Sequence, residues 1–286
     1  MRLFAEPKRL FTEIICSISI LLRPLHKQKL PDMEEILRQF DPITLDEMSG
    51  IRLMNRTDTK FVTTRPMLEQ LLKMAQHDYY VQEIDQRHIA AYYTVYFDTP
   101  DCVMYTTHET GHTNRQKLRI RSYVDSHLNF LEVKTKNNKG RTKKKRVSLD
   151  DFNPDQSSEF NLLSDDYSEF LHSHLRYAPE TLSRQLENRF DRITLVNKGK
   201  TERLTIDTNL RFHNVSTENI RFMKDIVIIE LKRDGLVPSP ILRMLRDLRI
   251  KPHGFSKYVI GSALTNHELH CNRLKPKVAD IERMLR

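Results

Sequence analysis

The chain has 286 residues, of which 38% are hydrophobic and 30% are charged, and its formal net charge at pH 7 is +9. A chain of this length can form one closed barrel, and it has enough apolar sequence for a core. The excess of positive charge favours a polyanionic partner, which is a nucleic acid, a membrane surface or a phosphate-rich ligand. The three cysteines are far apart in the sequence, which argues against a disulfide framework and fits a reducing compartment.

The N-terminal residues 1–32 are predicted to form a poorly ordered extension. Their apolar run from Leu10 to Leu22 contains Glu13, lacks a small-residue cleavage site and is shorter than a membrane span, which takes about 20 apolar residues. We therefore predict a cytoplasmic protein, or one at the inner face of a membrane. The main domain is predicted at 33–270, followed by a helical tail at 271–286.

Periodic apolar residues and turn signals predict the elements that follow in chain order. The predicted helices are 33–53 with a break at Pro42, 66–76, a helical insertion within 150–185, 238–249, 256–266 and 277–285. The predicted strands are 60–64, 92–97, 115–124, 128–136, 142–149, 188–196, 202–207 and 225–232. Together they indicate an α+β fold, a closed antiparallel β-barrel of about eight strands with peripheral helices.

The charged residues of these strands share one face. Side chains alternate along a strand, so Lys117, Arg119 and Arg121 lie on one side and the apolar residues between them on the other. The same alternation occurs in Glu132-x-Lys134 and Glu230-x-Lys232. One reading is an ordinary sheet whose charged face is in water. The other is a barrel that turns these charges inward, because the peripheral helices need the apolar face.

Charges turned into a barrel must be paired, hydrated or bound to a counter-ion. Lysine and arginine suit phosphoryl oxygens, and carboxylates suit Mg2+ or Mn2+ that bridges phosphates. This interpretation predicts a polyanion site assisted by a divalent metal. No glycine-rich phosphate loop that ends in Lys-Ser or Lys-Thr occurs in the sequence, which argues against a P-loop fold.

Several short motifs occur in the order that one known family shows. They are Arg56-x-Asp58-x-Lys60-Phe61, Arg119-x-Arg121, Glu132-x-Lys134, the basic run Lys143 to Arg146, Asn188-Arg189, Arg203-Leu204-Thr205-Ile206-Asp207, Glu230-Leu231-Lys232 and Ser256-Lys257-Tyr258. With these motifs the chain resembles the vacuolar transporter chaperone (VTC) domain over about residues 35–265. That domain belongs to the triphosphate tunnel metalloenzymes, which include the CYTH-like cyclases and triphosphatases.

The resemblance implies a basic β-tunnel and a polyphosphate polymerase that uses ATP, or another triphosphate, to extend inorganic polyphosphate. It also implies Mn2+ or Mg2+ as cofactor, no specific nucleic acid, and a membrane partner protein encoded elsewhere. Carried over to this sequence, the catalytic cations are Lys60, Arg119, Arg121, Lys134, Arg189 and Arg203. The further phosphate-binding residues are Lys144, Arg146, Lys232, Ser256 and Lys257, and the metal ligands are Glu230 and Glu132.

Three departures from the family pattern keep alternatives open. Arg56 precedes Asp58 where the wider superfamily has a glutamate, Gly254 replaces a lysine, and Glu187 replaces a tyrosine. The alternative functions are therefore a triphosphate or polyphosphate phosphohydrolase, and a polyphosphate-binding module without turnover. A third hypothesis, nucleic-acid binding by the basic run 139–146, is disfavoured because the run is predicted to be a turn and a strand.

Overall fold

A computed structural model describes residues 33–51, 56–235 and 237–285. The predicted N-terminal extension, residues 1–32, lies outside the described residues. Within them the chain forms one large, mostly antiparallel sheet with helices packed against it. This arrangement confirms the predicted α+β class.

The described residues form eleven strands. They are β1 (Asp41–Ile43), β2 (Arg56–Thr64), β3 (Tyr79–Gln82), β4 (Ile89–Asp98), β5 (Arg115–Tyr123), β6 (Leu128–Lys136), β7 (Thr142–Ser148), β8 (Ser183–Asn197), β9 (Glu202–Asn214), β10 (Ile220–Met223) and β11 (Ile226–Asp234). The order along the sheet is β2-β11-β9-β8-β4-β5-β6-β7, and β1, β3 and β10 pair beside this path. Each neighbouring pair on the path is antiparallel.

Eight α-helices accompany the sheet. They are α1 (Met33–Leu37), α2 (Leu45–Ser49), α3 (Arg65–Ala75), α4 (Val103–Glu109), α5 (Asp165–His174), α6 (Pro240–Asp247), α7 (Lys257–Thr265) and α8 (Lys275–Met284). Short 3-10 helices cover Val124–Ser126, Pro154–Glu159 and Pro179–Thr181. All of these helices belong to the part of the chain that the structure describes.

Local sequence explains several of the helix boundaries. Thr44 and Glu47 form a capping box at the start of α2, since each side chain bonds the other residue's backbone N–H. Proline occupies the first turn of α3, where its missing N–H costs no hydrogen bond. Ser256 caps α7 by accepting a hydrogen bond from the Val259 N–H.

The closure of the sheet into a barrel is not confirmed. Strands β2 and β7 are the two ends of the hydrogen-bonded path, and no pairing joins them among the described residues. The sheet nevertheless curves, because Lys60 of β2 and Lys117 of β5 bond the adjacent residues Phe255 and Ser256.

Two large hydrophobic clusters hold the fold together. One packs α1, α3 and α6 onto β2, β8, β9 and β11, with Phe61, Ile206 and Ile229 at its centre. The other covers β4, β5 and β6 and includes residues of α4, α5, α7 and α8. The side chain of Ile281 in α8 is fully buried there, so the predicted C-terminal tail packs on the core. None of the helices within the described ranges has both the length and the apolar character that a bilayer span requires.

Candidate functional site

Strand β5 separates an apolar face from a cationic one. Gln116, Leu118, Ile120 and Ser122 are buried, whereas the alternate residues from Arg115 to Tyr123 are half-buried. This is the alternation predicted from the sequence. Half-burial of the cations indicates that they line a space within the molecule that water can still reach.

The cations of β5 and β6 face those of β2 and β11 across this space. Burial lowers the pKa of Lys134 in β6 to about 8, and the positive charges of Arg119 and Lys60 contribute, while Glu230 acts in the opposite direction. Lys60 and Glu230 belong to β2 and β11, which lie at the far end of the sheet from β6. The sheet therefore curls around a common space, which we call the basic interior.

Glu132 is the first of three carboxylates that organise the basic interior. Its Oε2 accepts hydrogen bonds from Arg119 Nε at 2.8 Å and Nη2 at 2.6 Å, and its Oε1 accepts one from Lys144 Nζ at 3.1 Å. Burial alone would raise the pKa of Glu132, but Arg119, Arg121 and Lys144 hold it at about 2. Both oxygens are thus committed to cations.

Asp207 is the second carboxylate, and it fixes two cations at once. Arg192 donates to it from Nε at 2.6 Å and from Nη2 at 2.9 Å, and Lys257 Nζ bonds the same carboxylate. Burial would raise the pKa of Asp207, but these two cations lower it. Burial also lowers the pKa of Lys257 to about 7, although Asp207 opposes the shift. The ammonium group of Lys257 lies 4.1 Å from the centre of the Phe190 ring.

Glu230 is the third carboxylate and the least enclosed by cations. It lies opposite Lys60 in the β2–β11 register, and its Oε2 is 3.1 Å from Lys232 Nζ. Its side chain is 23% exposed, against 1% for Glu132. Burial would raise the pKa of Glu230, but Lys60 and Lys232 hold it at about 2.

Helix α7 brings its N-terminus to the basic interior. Lys117 Nζ donates to the Ser256 hydroxyl at 2.9 Å, and Lys60 Nζ donates to the Phe255 carbonyl at 2.8 Å. The helix can approach β8 and β9 closely because residue 261 is glycine, and a Cβ there would lie 2.4 Å from Phe212 Cδ1. This contact places Ser256 and Lys257 beside the cations of the sheet.

A cavity of about 730 Å3 opens at one end of the basic interior. Arg192, Arg203 and Lys232 line its polar side. Tyr92 and Phe130 contribute aromatic surface, and the Arg146 guanidinium lies 4.2 Å from the centre of the Phe130 ring. Arg192 lies 4.8 Å from the centre of the Tyr92 ring, so arginines and aromatic rings lie side by side in the cavity lining.

Of the residues predicted as catalytic or phosphate-binding, the structure brings most together. These are Lys60, Arg119, Arg121, Lys134, Lys144, Arg146, Arg203, Lys232, Ser256 and Lys257. The Nε of Arg121 is buried and has no hydrogen-bond partner among the described residues. Its guanidinium lies 5.7 Å from the centre of the Tyr92 ring.

Arg189 is not part of this group. It bonds Asp155 at 2.8 Å, its guanidinium stacks on the Tyr93 ring at 4.6 Å, and its side chain is 44% exposed. Alternation along β8 places Phe190 and Arg192 on the inner face and Arg189 on the outer one. Arg192 is a cation of the basic interior that the sequence prediction did not include. It follows Phe190 by two residues and so lies on the same face of β8, and this spacing is the sequence signal for its position.

The described residues fit a divalent metal only in part. No group of three or more His, Cys, Asp or Glu side chains within the described ranges is placed to hold a metal ion. Glu132 fits poorly, because both its oxygens bond cations. Glu230 fits better, since Mg2+ is commonly bound by one or two carboxylates together with substrate phosphates.

Comparisons with known proteins place the chain in a family. The model of the VTC domain matches residues 55–266, and the chain belongs to that family. No curated protein sequence matches the chain significantly.

Solved structures with similar folds include two putative cyclases. One, from Bacillus halodurans, is 14% identical and covers 71% of this chain and 96% of its own, with a TM-score of 0.47. The other, from Hippeastrum and described as having a dominant triphosphatase activity, is 14% identical and covers 76% of this chain and 100% of its own, with a TM-score of 0.49.

Proposed function

We propose that this chain binds ATP and inorganic polyphosphate in the basic interior and transfers the terminal phosphoryl group of ATP to the polyphosphate chain. The bond between the β- and γ-phosphoryl groups breaks, a bond forms between the γ-phosphorus and the terminal oxygen of the acceptor chain, and ADP leaves. Membership of the VTC domain family supports this proposal.

One observation carries the proposal, and it is the excess of cations in the basic interior. Asp207, Glu132 and Glu230 are each already bonded to lysine or arginine. Arg121 in β5 faces Thr94 and Phe130 in the strand register, and Lys134 in β6 faces Lys117 and Lys144. Like charges that face each other across strands are costly, and a linear chain of phosphoryl groups would neutralise them.

Phosphoryl transfer needs positioning and charge neutralisation more than covalent work by the protein. Arg119 and Arg192 are held rigidly by their carboxylates, so each can present its remaining N–H groups to phosphoryl oxygens. The phosphates of ATP would bind these guanidinium groups. The large cavity at one end would admit the nucleoside.

Glu230 is the carboxylate that we assign to the metal cofactor. Mn2+ or Mg2+ held there together with the substrate would neutralise negative charge on bridging phosphoryl oxygens. Glu132 then serves to position Arg119 and Lys144, in place of the metal-binding role that the family resemblance implies. The proposal also includes a closed barrel, which is supported by the hydrogen bonds from Lys60 of β2 and Lys117 of β5 to the adjacent residues Phe255 and Ser256.

The test is incubation of the purified protein with ATP labelled in the γ-phosphate, with Mn2+ and Mg2+ in separate reactions. We expect a labelled polymer to form, and we expect Glu230→Gln and Arg119→Gln to lose most of it. Label released only as free phosphate would identify a phosphohydrolase. Polymer formed at the parental rate by both variants would contradict the site assignment.

A polyphosphate-binding module without turnover is the second candidate. The observation in its favour is that no group of three or more His, Cys, Asp or Glu side chains is placed to hold a metal ion among the residues described. In that case tripolyphosphate would bind with strong salt dependence, and neither polymer nor free phosphate would appear in the labelling experiment.

A further inference from the structure

One end of the basic interior has cations directly opposite cations. In the register of β5, β6 and β7, Lys117 pairs with Lys134, and Lys134 pairs with Lys144. Two residues further out, Arg115 pairs with Lys136. Like charges that face each other across strands destabilise a sheet. These two rows therefore disfavour the ligand-free fold.

The neighbouring row of the same three strands differs in one respect. There Arg119 pairs with Glu132, and Glu132 pairs with Arg146, so a carboxylate lies between the two cations. In the row of three lysines, Lys144 bonds Glu132 of the neighbouring row, and Lys117 bonds the Ser256 hydroxyl. Lys117 and Lys134 still face each other directly in the register, so an anion from outside the protein would reduce the repulsion between them.

The surroundings of His108 show that these cations cluster in space. Burial, together with the charges of Lys117, Arg115, Lys60 and Lys136, lowers the pKa of His108 to about 2. Four cations thus act on one imidazole at this end of the interior.

The basic surface continues outside the interior. Lys136 ends β6, and the Asn137 N–H bonds the Arg141 carbonyl at 2.9 Å to close a tight turn into β7. Lys139 and Arg141 in this turn are exposed, and Lys143 follows them on the exposed strand β7. We call the set Arg115, Lys117, Lys136, Lys139 and Arg141 the basic rim.

The length of this surface exceeds that of a triphosphate. From Arg121 to Arg115, strand β5 extends over six residues, or about 20 Å. The turn between β6 and β7 lengthens the basic surface further. Three linked phosphoryl groups cannot cover that distance.

The kind of ligand follows from the shape of the surface. A membrane is flat and cannot reach Lys117 inside the molecule. A single-stranded nucleic acid usually stacks its bases on aromatic rings, and the segment 134–146 contains none. A thin linear polymer of phosphoryl groups fits both the narrow interior and the open turn.

We propose that the basic rim binds the part of a linear phosphate polymer that lies beyond the first three phosphoryl groups. This inference rests on the proposed function, because the same polymer occupies the basic interior. It assigns a binding role to five residues outside the predicted site.

The test compares two ligands and two matched double variants. The ligands are tripolyphosphate and long-chain polyphosphate, with affinities measured by equilibrium titration at one fixed salt concentration. The rim variant is Lys136→Gln with Arg141→Gln. The control variant, Lys73→Gln with Arg246→Gln, removes the same charge from exposed positions on α3 and α6. All proteins are full-length.

We expect the rim variant to lose roughly tenfold in affinity for the long chain, since each charged hydrogen bond is worth about 1.5–3 kcal/mol when fully formed. Its affinity for tripolyphosphate, and both affinities of the control variant, should stay within twofold of the parent. Equal losses for the rim and control variants with the long chain would overturn the inference. So would an equal loss for both ligands in the rim variant.

The same titrations separate this inference from the proposed function. A parent protein that binds both ligands with equal affinity would overturn the rim and leave the proposed function standing. A parent that binds neither would overturn both. Loss of binding to anionic phospholipid vesicles, with long-chain affinity unchanged, would make the rim a membrane-binding surface and would also overturn the inference.

Discussion

Three carboxylates set the positions of the cations in the basic interior. Asp207 holds Arg192 and Lys257, Glu132 holds Arg119 and Lys144, and Glu230 lies beside Lys232. A buried pair of this kind contributes little net stability, but the loss of one partner leaves a costly unpaired charge. The carboxylates therefore act mainly by pre-orienting cations for an anionic ligand.

The first prediction separates two arginines of the same strand. Arg192→Gln should weaken the binding of tripolyphosphate at least tenfold, because charged hydrogen bonds to phosphate are worth about 1.5–3 kcal/mol. Arg189→Gln should change it less than twofold, since Arg189 lies on the outer face beside Asp155. Titration calorimetry measures both. Equal losses would show that Arg189 also reaches the ligand.

The second prediction concerns pH and Lys257. The pKa of Lys257 is lowered to about 7 in the folded protein, from about 10.4 in an unfolded chain. Between these values the unfolded chain binds more protons, so this group makes the free energy of unfolding increase as pH rises above about 7. Urea denaturation at about pH 7 and pH 9 should show a smaller increase for Lys257→Met than for the parent.

The opposite trend is expected for the ligand. Bound phosphate favours the charged form of Lys257, so tripolyphosphate affinity should fall from about pH 7 to pH 9, and less so in Lys257→Met. An affinity that is flat over this range in the parent would contradict a role for Lys257 in binding.

At the scale of single elements, α7 is the helix that completes the site. Its position depends on the absence of a side chain at Gly261, where a Cβ would lie 2.8 Å from Leu186 Cδ2 and 2.4 Å from Phe212 Cδ1. Such packing transmits strain, because protein interiors are dense. A change at Gly261 should therefore move Ser256 and Lys257 as well.

The third prediction tests this contact. Gly261→Ala should lower the free energy of unfolding by about 1–3 kcal/mol through overpacking, and should weaken tripolyphosphate binding. Gly50→Ala is the matched control, since nothing lies within 4 Å of the added Cβ and the backbone there has an ordinary φ of −73°. Chemical denaturation compares the two. A Gly261→Ala protein as stable as the parent would contradict the close approach.

Strand positions were largely predictable from the sequence, and the assembly around the site was less so. The alternation of Lys117, Leu118 and Arg119 predicts β5 and its two faces, because burial and charge follow the strand period. The sequence does not single out Arg192, because the neighbouring Asn188-Arg189 motif points to Arg189, which lies on the outer face of β8. The role of Glu132 depends on a contact with Arg119 and Lys144 across three strands, which spacing within one strand does not reveal.

For the whole molecule, the predominant feature is like charge gathered at one place. The protein can fold despite this repulsion, because the two hydrophobic clusters pack the helices onto the apolar face of the sheet. Repulsion inside such a space is relieved by any multivalent anion, and a ligand that binds only the folded state stabilises it by mass action.

The fourth prediction follows from this repulsion. Tripolyphosphate should raise the thermal midpoint of unfolding by roughly 4–8 °C over that of the ligand-free protein. This shift corresponds to about 2 kcal/mol of stabilisation by the bound ligand. An equal ionic strength of sodium chloride should raise it much less. Differential scanning fluorimetry measures both. Equal responses would indicate general screening and no specific site.

The basic interior should bind a chain of phosphoryl groups, and a titration with tripolyphosphate tests this directly. Tripolyphosphate is titrated into the parent protein and into Arg119→Gln/Arg192→Gln, with the salt concentration varied. We expect tight binding by the parent that weakens steeply with salt, and at least a hundredfold loss in the double variant, which removes two charged hydrogen-bonding groups. Binding of equal affinity by both proteins would contradict it.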